Sequence, residues 1–328
     1  MSNVSTNQHI NHSDIAIFAN EVVNLPKEDA DEYRAQAGRL CGRLADHIQA
    51  NPGFGLVKML QAGSIAKGTA LRTINDMDIA VYVRKEAAPS SERDLVPWIT
   101  ERLREANPNL SPDQFDTSEP HCVTVRFRGT GLDVQMVPVL YEGASHDFGY
   151  LVDKYTGERT LTSIPLHLEF IRKRKNKNPG HFAQVARLLK WWAQQRKLED
   201  GNFKCKSFML ELITAHLADR NMVDLSHYPS ALEIILSYVV KSGLKSRIAF
   251  IDYYDATRLP KNTGAAIEIF DPVNPDNNIA SHYTEEDRGQ LVLAAEEAGD
   301  AVSEAAVAFT KKQALECWQV IFGPSFGR

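Results

Sequence analysis

The sequence has no long apolar run. Nothing in it approaches the ~20 consecutive apolar residues that cross a bilayer, so a membrane-spanning helix is excluded. Cysteine is scarce and scattered: Cys41, Cys122, Cys205 and Cys317 form neither a Cys-x-x-Cys pair nor a Cys/His cluster. That argues against a disulfide framework and a zinc module alike. Positive charge is not in excess either, with 37 Lys and Arg against 42 Asp and Glu, a net charge of −5 and a pI near 6.1. A general nucleic-acid coat is therefore excluded. Met1 to His12 is polar and lacks the basic-then-apolar order of a secretory leader. Internal repeats and low-complexity tracts are absent. These absences lead to the expectation of a reduced, soluble, cytoplasmic protein.

What is present is an ordinary globular composition, 43% hydrophobic and 24% charged, over 328 residues. At about 150 residues per domain that length suggests two domains. Pro26 and an acidic turn (Glu28, Asp29, Asp31, Glu32) suit a helix N-terminus. Tyr33, Ala37, Leu40, Leu44 and Ile48 then recur at helical spacing until Asn51-Pro52-Gly53, which predicts one long amphipathic helix. Asp78 to Val83 reads as a strand and Leu95 to Leu103 as a helix. Cys122 to Arg128 and Leu132 to Leu140, joined across Gly129-Thr130-Gly131, read as a β-hairpin. From about residue 165 helical patterns take over: His181 to Arg196, Ser207 to Ala218, Ala231 to Val240, and a long helix opened by the capping box Thr284-Glu-Glu-Asp287. The layout is α+β followed by mostly helix.

One stretch concentrates unusual chemistry: Gly63-Ser64, Lys67-Gly68-Thr69, Arg72, then Asp76-Met77-Asp78 entering a strand. Residues two apart on a strand share a face, so Asp76 and Asp78 present two carboxylates side by side. Like charges that close are costly unless a cation lies between them. Oxygen-only ligands favour Mg²⁺ or Mn²⁺ over zinc. Asp133 is a third carboxylate, placed at the edge of an otherwise apolar strand. Three carboxylates from neighbouring strands can hold two metals about 3.5–4 Å apart for in-line phosphoryl transfer. The Gly63-Ser64 turn lets backbone approach a phosphate and supplies a hydroxyl donor. It is not a Walker A loop, because the Gly-x₄-Gly-Lys-Ser/Thr spacing is missing.

The pattern Gly-Ser, Lys-Gly-Thr, Asp-x-Asp and a later strand Asp resembles the DNA polymerase β-type nucleotidyltransferases. The wording is closer to the CD-NTases of CBASS anti-phage systems, bacterial relatives of cyclic GMP-AMP synthase and oligoadenylate synthase. Gly63-Ser-Ile-Ala-Lys-Gly-Thr-Ala-Leu-Arg72, Gly131-Leu-Asp-Val-Gln-Met-Val-Pro138, Ser163-Ile-Pro-Leu-His167, Lys190-Trp-Trp192, Lys206-Ser-Phe-Met-Leu-Glu211 and Asp271-Pro-Val-Asn-Pro-Asp-Asn-Asn278 all fit. The resemblance spans about residues 15 to 326 and is nearest to clade C.

It implies a polymerase β-like catalytic domain over residues 1–165, including the long N-terminal helix, and a helical nucleotide-binding domain over 166–328. Asp76, Asp78 and Asp133 match the catalytic metal-binding triad, with two Mg²⁺ ions for which Mn²⁺ can substitute. Gly63 and Ser64 match the phosphate-gripping turn, and Lys67, Lys190 and Ser207 match triphosphate contacts. Phe208 falls where relatives stack an aromatic on the donor base. The implied activity is template-independent synthesis of a cyclic oligonucleotide, cyclic tri-adenylate in clade C, from ATP. The implied partner is a HORMA-domain protein.

Read without the family, several residues stay open. Trp191 and Trp192 at helical spacing are core more often than ligand contacts. Phe208 is evenly balanced between core and base stacking. Asp271, Asn277 and Asn278 suit either turns around Pro272 and Pro275 or a base edge. Residues 171–206 carry eleven basic side chains against two acidic ones. That is either a solvated helical face or a basic stripe for polyphosphate or nucleic acid. Two rival functions also stand: nucleotide addition to an RNA end or small acceptor, and a catalytically inactive sensor of nucleic acid or a partner.

Overall fold

The computed structural model describes residues 9–328. In chain order the first half contains α1 (His12–Phe18), α2 (Lys27–Ala50), β1 (Leu56–Gln61), α3 (Gly63–Lys67), β2 (Asp76–Arg84), α4 (Leu95–Ala106), β3 (Phe115–Asp116), β4 (Val123–Arg126), β5 (Asp133–Tyr141), β6 (Gly149–Val152) and β7 (Arg159–Thr162). The second half is helical: α5 (Ile164–Lys177), α6 (His181–Glu199), α7 (Ser207–Asp219), α8 (Tyr228–Ser242), α9 (Glu285–Val307) and α10 (Lys311–Phe322). The α+β class expected from the pattern is the observed one.

Leu25–Ile171 form a compact unit around one mixed sheet, ordered β1-β2-β5-β4-β3, with β6 on the far end of β5 and β7 beyond it. The β2–β5 pair is parallel and the other pairs are antiparallel. A parallel pair requires a crossover, here the stretch through α4. Strand alternation decides the two faces. Met77, Ile79, Val81 and Val83 of β2, with Val134 and Met136 of β5, enter a core against Leu40, Leu44 and Ile48 of α2 and Ile99 and Leu103 of α4. The helix predicted from Pro26 to Asn51 thus buries Ala37, Leu40, Leu44 and Ile48 of the residues its spacing selected, with Tyr33 half-buried. The opposite face carries Asp76, Asp78 and Asp133 at one end. At the other, Ala80, Tyr82 and Val139 form a small apolar cluster. Pro138 lies where pairing to β4 has ended at Met136 and pairing to β6 has not yet begun at Leu140, so its missing N–H breaks no ladder on that side.

The other unit joins the chain up to Asn24 with Arg172–Arg328. The division therefore falls inside α5, at 171/172 rather than 165/166. The first described residues belong with the helices and not with the sheet. The reason is packing. Phe18 meets the rings of Trp191, Phe322 and Phe326 at centroid distances of 6.1, 5.3 and 5.0 Å. His12 accepts the Tyr228 backbone N–H at 3.2 Å, and the Asn24 and Gln184 amides bond each other. Phe326 is only 2% exposed, so the last residues are anchored through this aromatic cluster. Trp191 and Trp192 are core, with the Trp191 indole N–H donating to the Phe322 carbonyl at 2.9 Å. The Thr284–Asp287 capping box is formed at the start of α9.

Candidate active site

The site is set by the register of β2 against β5. Asp76 is the first residue of β2 and Asp133 the first of β5, and the two are paired directly across the parallel ladder. Asp78 follows on the same face, opposite Gln135. The backbone thus brings three carboxylates, 57 residues apart at their widest in sequence, to one end of one sheet face. Among the described residues no group of three or more His, Cys, Asp or Glu side chains is gathered as a metal site.

The Gly63-Ser64 segment meets this row from β1. Ala62 N–H donates to the Asp78 carbonyl at 2.9 Å, which docks the end of β1 beside Asp78. Gly63 adopts φ +65°, and a Cβ there would lie 1.6 Å from Asp78 Oδ2 and 2.6 Å from its Cγ. The Asp78 carboxylate occupies the space a side chain would fill, so glycine is required for conformation and for room. The segment expected as a simple turn is in fact the short helix α3, closed by Gly68 at φ +71° with its N–H on the Ile65 carbonyl and Thr69 N–H on the Ser64 carbonyl.

Burial first and the Asp76 charge second push the Asp78 carboxyl up to about 6, against the opposing pull of the Lys67 ammonium and a backbone hydrogen bond. A carboxylate pair of this kind, with oxygen-only donors and a glycine cleared beside it, fits a hard divalent cation. Gly63, Ser64, Lys67, Asp76, Asp78 and Asp133 all belong to the sheet unit, and the structure brings them together.

The remaining sequence-selected residues lie in the helical unit. Ser207 is the exposed first residue of α7, with half-buried Phe208 beside it. Lys190 differs from expectation. It is 5% exposed on α6, and its ammonium is ion-paired with Glu211 of α7, itself 1% exposed. Glu211 was not selected from the sequence, although an acid inside the apolar run Phe208 to Leu217 is the signal for a buried partner.

The Asp271–Asn278 loop resolves to structure. Asp271 accepts from Val273 N–H and from the Asn277 amide, while Asn278 bonds Ile269 and Ala280 N–H groups and the Ile267 carbonyl. The basic segment is partly neutralised internally. Arg174 pairs with Asp219 and Asp252, Lys177 with Asp219, Arg196 with Glu199 and Glu297, and Lys204 with Asp287. Asp219, Asp252, Asp287 and Glu297, the acids that come from outside the segment, cannot be read from its local sequence.

An Asp-x-Asp pair and a strand Asp facing a Gly-Ser segment define a nucleotidyltransferase, and comparison with known proteins agrees. No protein-family model matches the chain. It is 48% identical over 319 residues to the cyclic AMP-AMP-AMP synthase of Escherichia coli strain MS 115-1, covering 97% of this chain and 98% of that protein. It is 31% identical over 324 residues to the CBASS oligonucleotide cyclase CdnC of E. coli strain KTE188, again 97% and 98% of the two chains. Two solved structures of E. coli MS115-1 CdnC, both 48% identical, superpose along nearly the whole length. The one with ATP has a TM-score of 0.90 and covers 98% of this chain and 100% of that one; the complex with HORMA-deltaN has 0.89, 98% and 99%. The chain therefore belongs to the CBASS oligonucleotide cyclases, the CD-NTase family of nucleotidyltransferases. The family's phosphoryl transfer uses divalent metal ions. Among the described residues no helix is long and apolar enough to cross a membrane.

Proposed function

We propose that this protein makes cyclic tri-adenylate from ATP as a cytoplasmic anti-phage messenger, and that a HORMA-domain protein is its partner. The observation that carries the reading is the Asp76–Asp133 pairing with Gly63 packed on Asp78. The names of the two curated relatives and the ATP and HORMA complexes of CdnC support product, substrate and partner.

In this reading Asp76, Asp78 and Asp133 hold two Mg²⁺ ions, with Mn²⁺ able to substitute. When bound, the ions acidify an attacking hydroxyl and neutralise charge on departing pyrophosphate. Asp133 lies on the attacking side and takes up the ribose hydroxyl proton. Gly63 leaves room for backbone to approach a phosphate, and the Ser64 hydroxyl and Lys67 ammonium grip the donor triphosphate. Ser207, exposed at the start of α7, donates a further hydroxyl. Lys190, ion-paired with Glu211, is the further triphosphate contact that the resemblance to the family implies. Phe208 stacks on the donor base. Repeated transfer followed by ring closure gives the product. The basic segment 171–206 is also a surface for nucleic acid.

The test is incubation of the full chain with ATP and Mg²⁺, alone and with a HORMA-domain partner. The expected outcome is a phosphatase-resistant product with the mass of cyclic tri-adenylate. An Asp76→Asn, Asp78→Asn double variant should retain its circular dichroism and fall below about a thousandth of wild-type turnover. Undiminished product from that variant overturns the metal assignment. Product only in the presence of an RNA or small-molecule acceptor overturns the cyclase reading.

A further inference from the structure

Both paired carboxylates occupy the first residue of their strands. Strand ends are where ladders open most easily, since hydrogen bonds are missing on one side. Yet a site built from Asp76 and Asp133 needs their separation fixed to within about 0.5 Å. Something beyond the ladder has to hold this end of β5 against β2.

Asn75 stands immediately before β2 and makes two contacts to the start of β5. Its carbonyl accepts the Asp133 N–H at 2.7 Å, and its side-chain amide donates to the Gly131 carbonyl at 3.1 Å. The two bonds bracket Leu132, whose side chain is fully buried in the core. The loop they grip is already closed on itself. Phe127 N–H bonds the Leu132 carbonyl at 2.9 Å, Gly131 N–H bonds the Phe127 carbonyl at 2.8 Å, and Gly131 sits at φ +70°. On its other side the Thr130 hydroxyl donates to Gln36 of α2 at 2.8 Å. The loop is thus a rigid body, and Asn75 couples it to the strand that bears Asp76 and Asp78.

From this geometry we infer that Asn75 is a positioning residue: its side-chain amide locks the Asp133 end of β5 in register with Asp76. The inference rests on the nucleotidyltransferase reading. Asn75 is exposed and acts through the Gly131 carbonyl, so it need not touch a substrate. The acid of the same shape cannot replace it, because a carboxylate has no donor for a carbonyl.

The test uses the full chain with Asn75→Ala and, separately, Asn75→Asp. Asn75→Ala keeps the backbone carbonyl and removes only the tether. Hydrogen exchange is read first, on metal-free protein without substrate. The Asp133 amide should exchange about tenfold faster or more in both variants, while core amides of α2 keep wild-type protection. Turnover is read second. Both variants should lose about 10- to 100-fold, with the Mg²⁺ concentration for half-maximal rate moved upward and the KM for ATP little changed.

Unchanged exchange at Asp133 overturns the tether. Faster exchange with wild-type turnover and wild-type Mg²⁺ dependence overturns the role in positioning. A lowered melting temperature with an unmoved Mg²⁺ midpoint also overturns it, as the signature of a purely structural residue. These failures are seen against an active wild-type chain. A wild-type chain that turns over no ATP under any condition overturns the functional reading itself.

Discussion

The two units treat charge in opposite ways. In the helical unit buried charges come with partners: Lys190 with Glu211, and Arg174 with both Asp219 and Asp252. In the sheet unit three carboxylates share one end of one face, with Gly63 packed against Asp78 and the Lys67 ammonium opposing the Asp76 charge on it. Opposite charges that neutralise each other inside a fold are structural. Like charges gathered on one face suit a divalent cation. Lys190, selected from sequence as a phosphate contact, is buried in an ion pair with Glu211.

The sharpest way to break this contrast is at Gly63. Gly63→Ala places a methyl against the Asp78 carboxylate in a left-handed conformation that alanine resists. Turnover should fall by at least about 100-fold with near-wild-type thermal stability, since the displaced carboxylate belongs to no core. Steady-state product assays and a melting curve check it. Wild-type turnover would show that the cradle is not needed.

A smaller effect is expected in the helical unit. Lys190→Met removes the ammonium paired with the buried Glu211 carboxylate, which should cost about 3–5 kcal/mol in denaturant unfolding. Adding Glu211→Leu should restore most of that loss. Failure of the second change to rescue would mean that the pair is not the unit of stability.

The smallest effects are in pH. The Asp78 carboxyl, normally near 3.8, is held up to about 6 in the folded protein by burial first and the Asp76 charge second. A group that binds its proton more tightly when folded contributes full stability below about 4 and loses it as pH rises to 6. The metal-free protein should therefore weaken across that window, and Asp78→Asn should flatten the slope. The His216 imidazole, normally near 6.5, is pushed down to about 4 by burial and then by Arg220. It stays neutral when folded, so its contribution is full above 6.5 and lost as pH falls toward 4. His216→Gln should flatten that limb. Melting temperatures from pH 4 to 8 without metal distinguish the two.

Much of this was legible in the sequence, for physical reasons. The spacing of Leu40, Leu44 and Ile48 marks a buried helix face because helical period is a local property, and the Thr284–Asp287 box is a four-residue event. The Asp76–Met77–Asp78 alternation likewise fixes its own two faces. What could not be read is pairing across distance. Nothing local to Asp133 says that it aligns with Asp76 rather than Asp78, a slip that would move the carboxylate by two residues. The same holds for Lys190 and Glu211, for the acids that neutralise Arg174 and Arg196, and for the placement of Phe18 with the far end of the chain. α3 escaped because its five residues are too short for a period to appear.

That placement of Phe18 bears on the order in which the protein is made. The sheet unit is one uninterrupted stretch, Leu25–Ile171, inserted between two pieces of the helical unit. A chain synthesised from its N-terminus can finish the sheet and its three aspartates while Phe18 still lacks Phe322 and Phe326. The helical unit closes only when Phe322 and Phe326 have left the ribosome. A chain that stops short of Phe326 thus carries the aspartate row without the ring that completes the other unit.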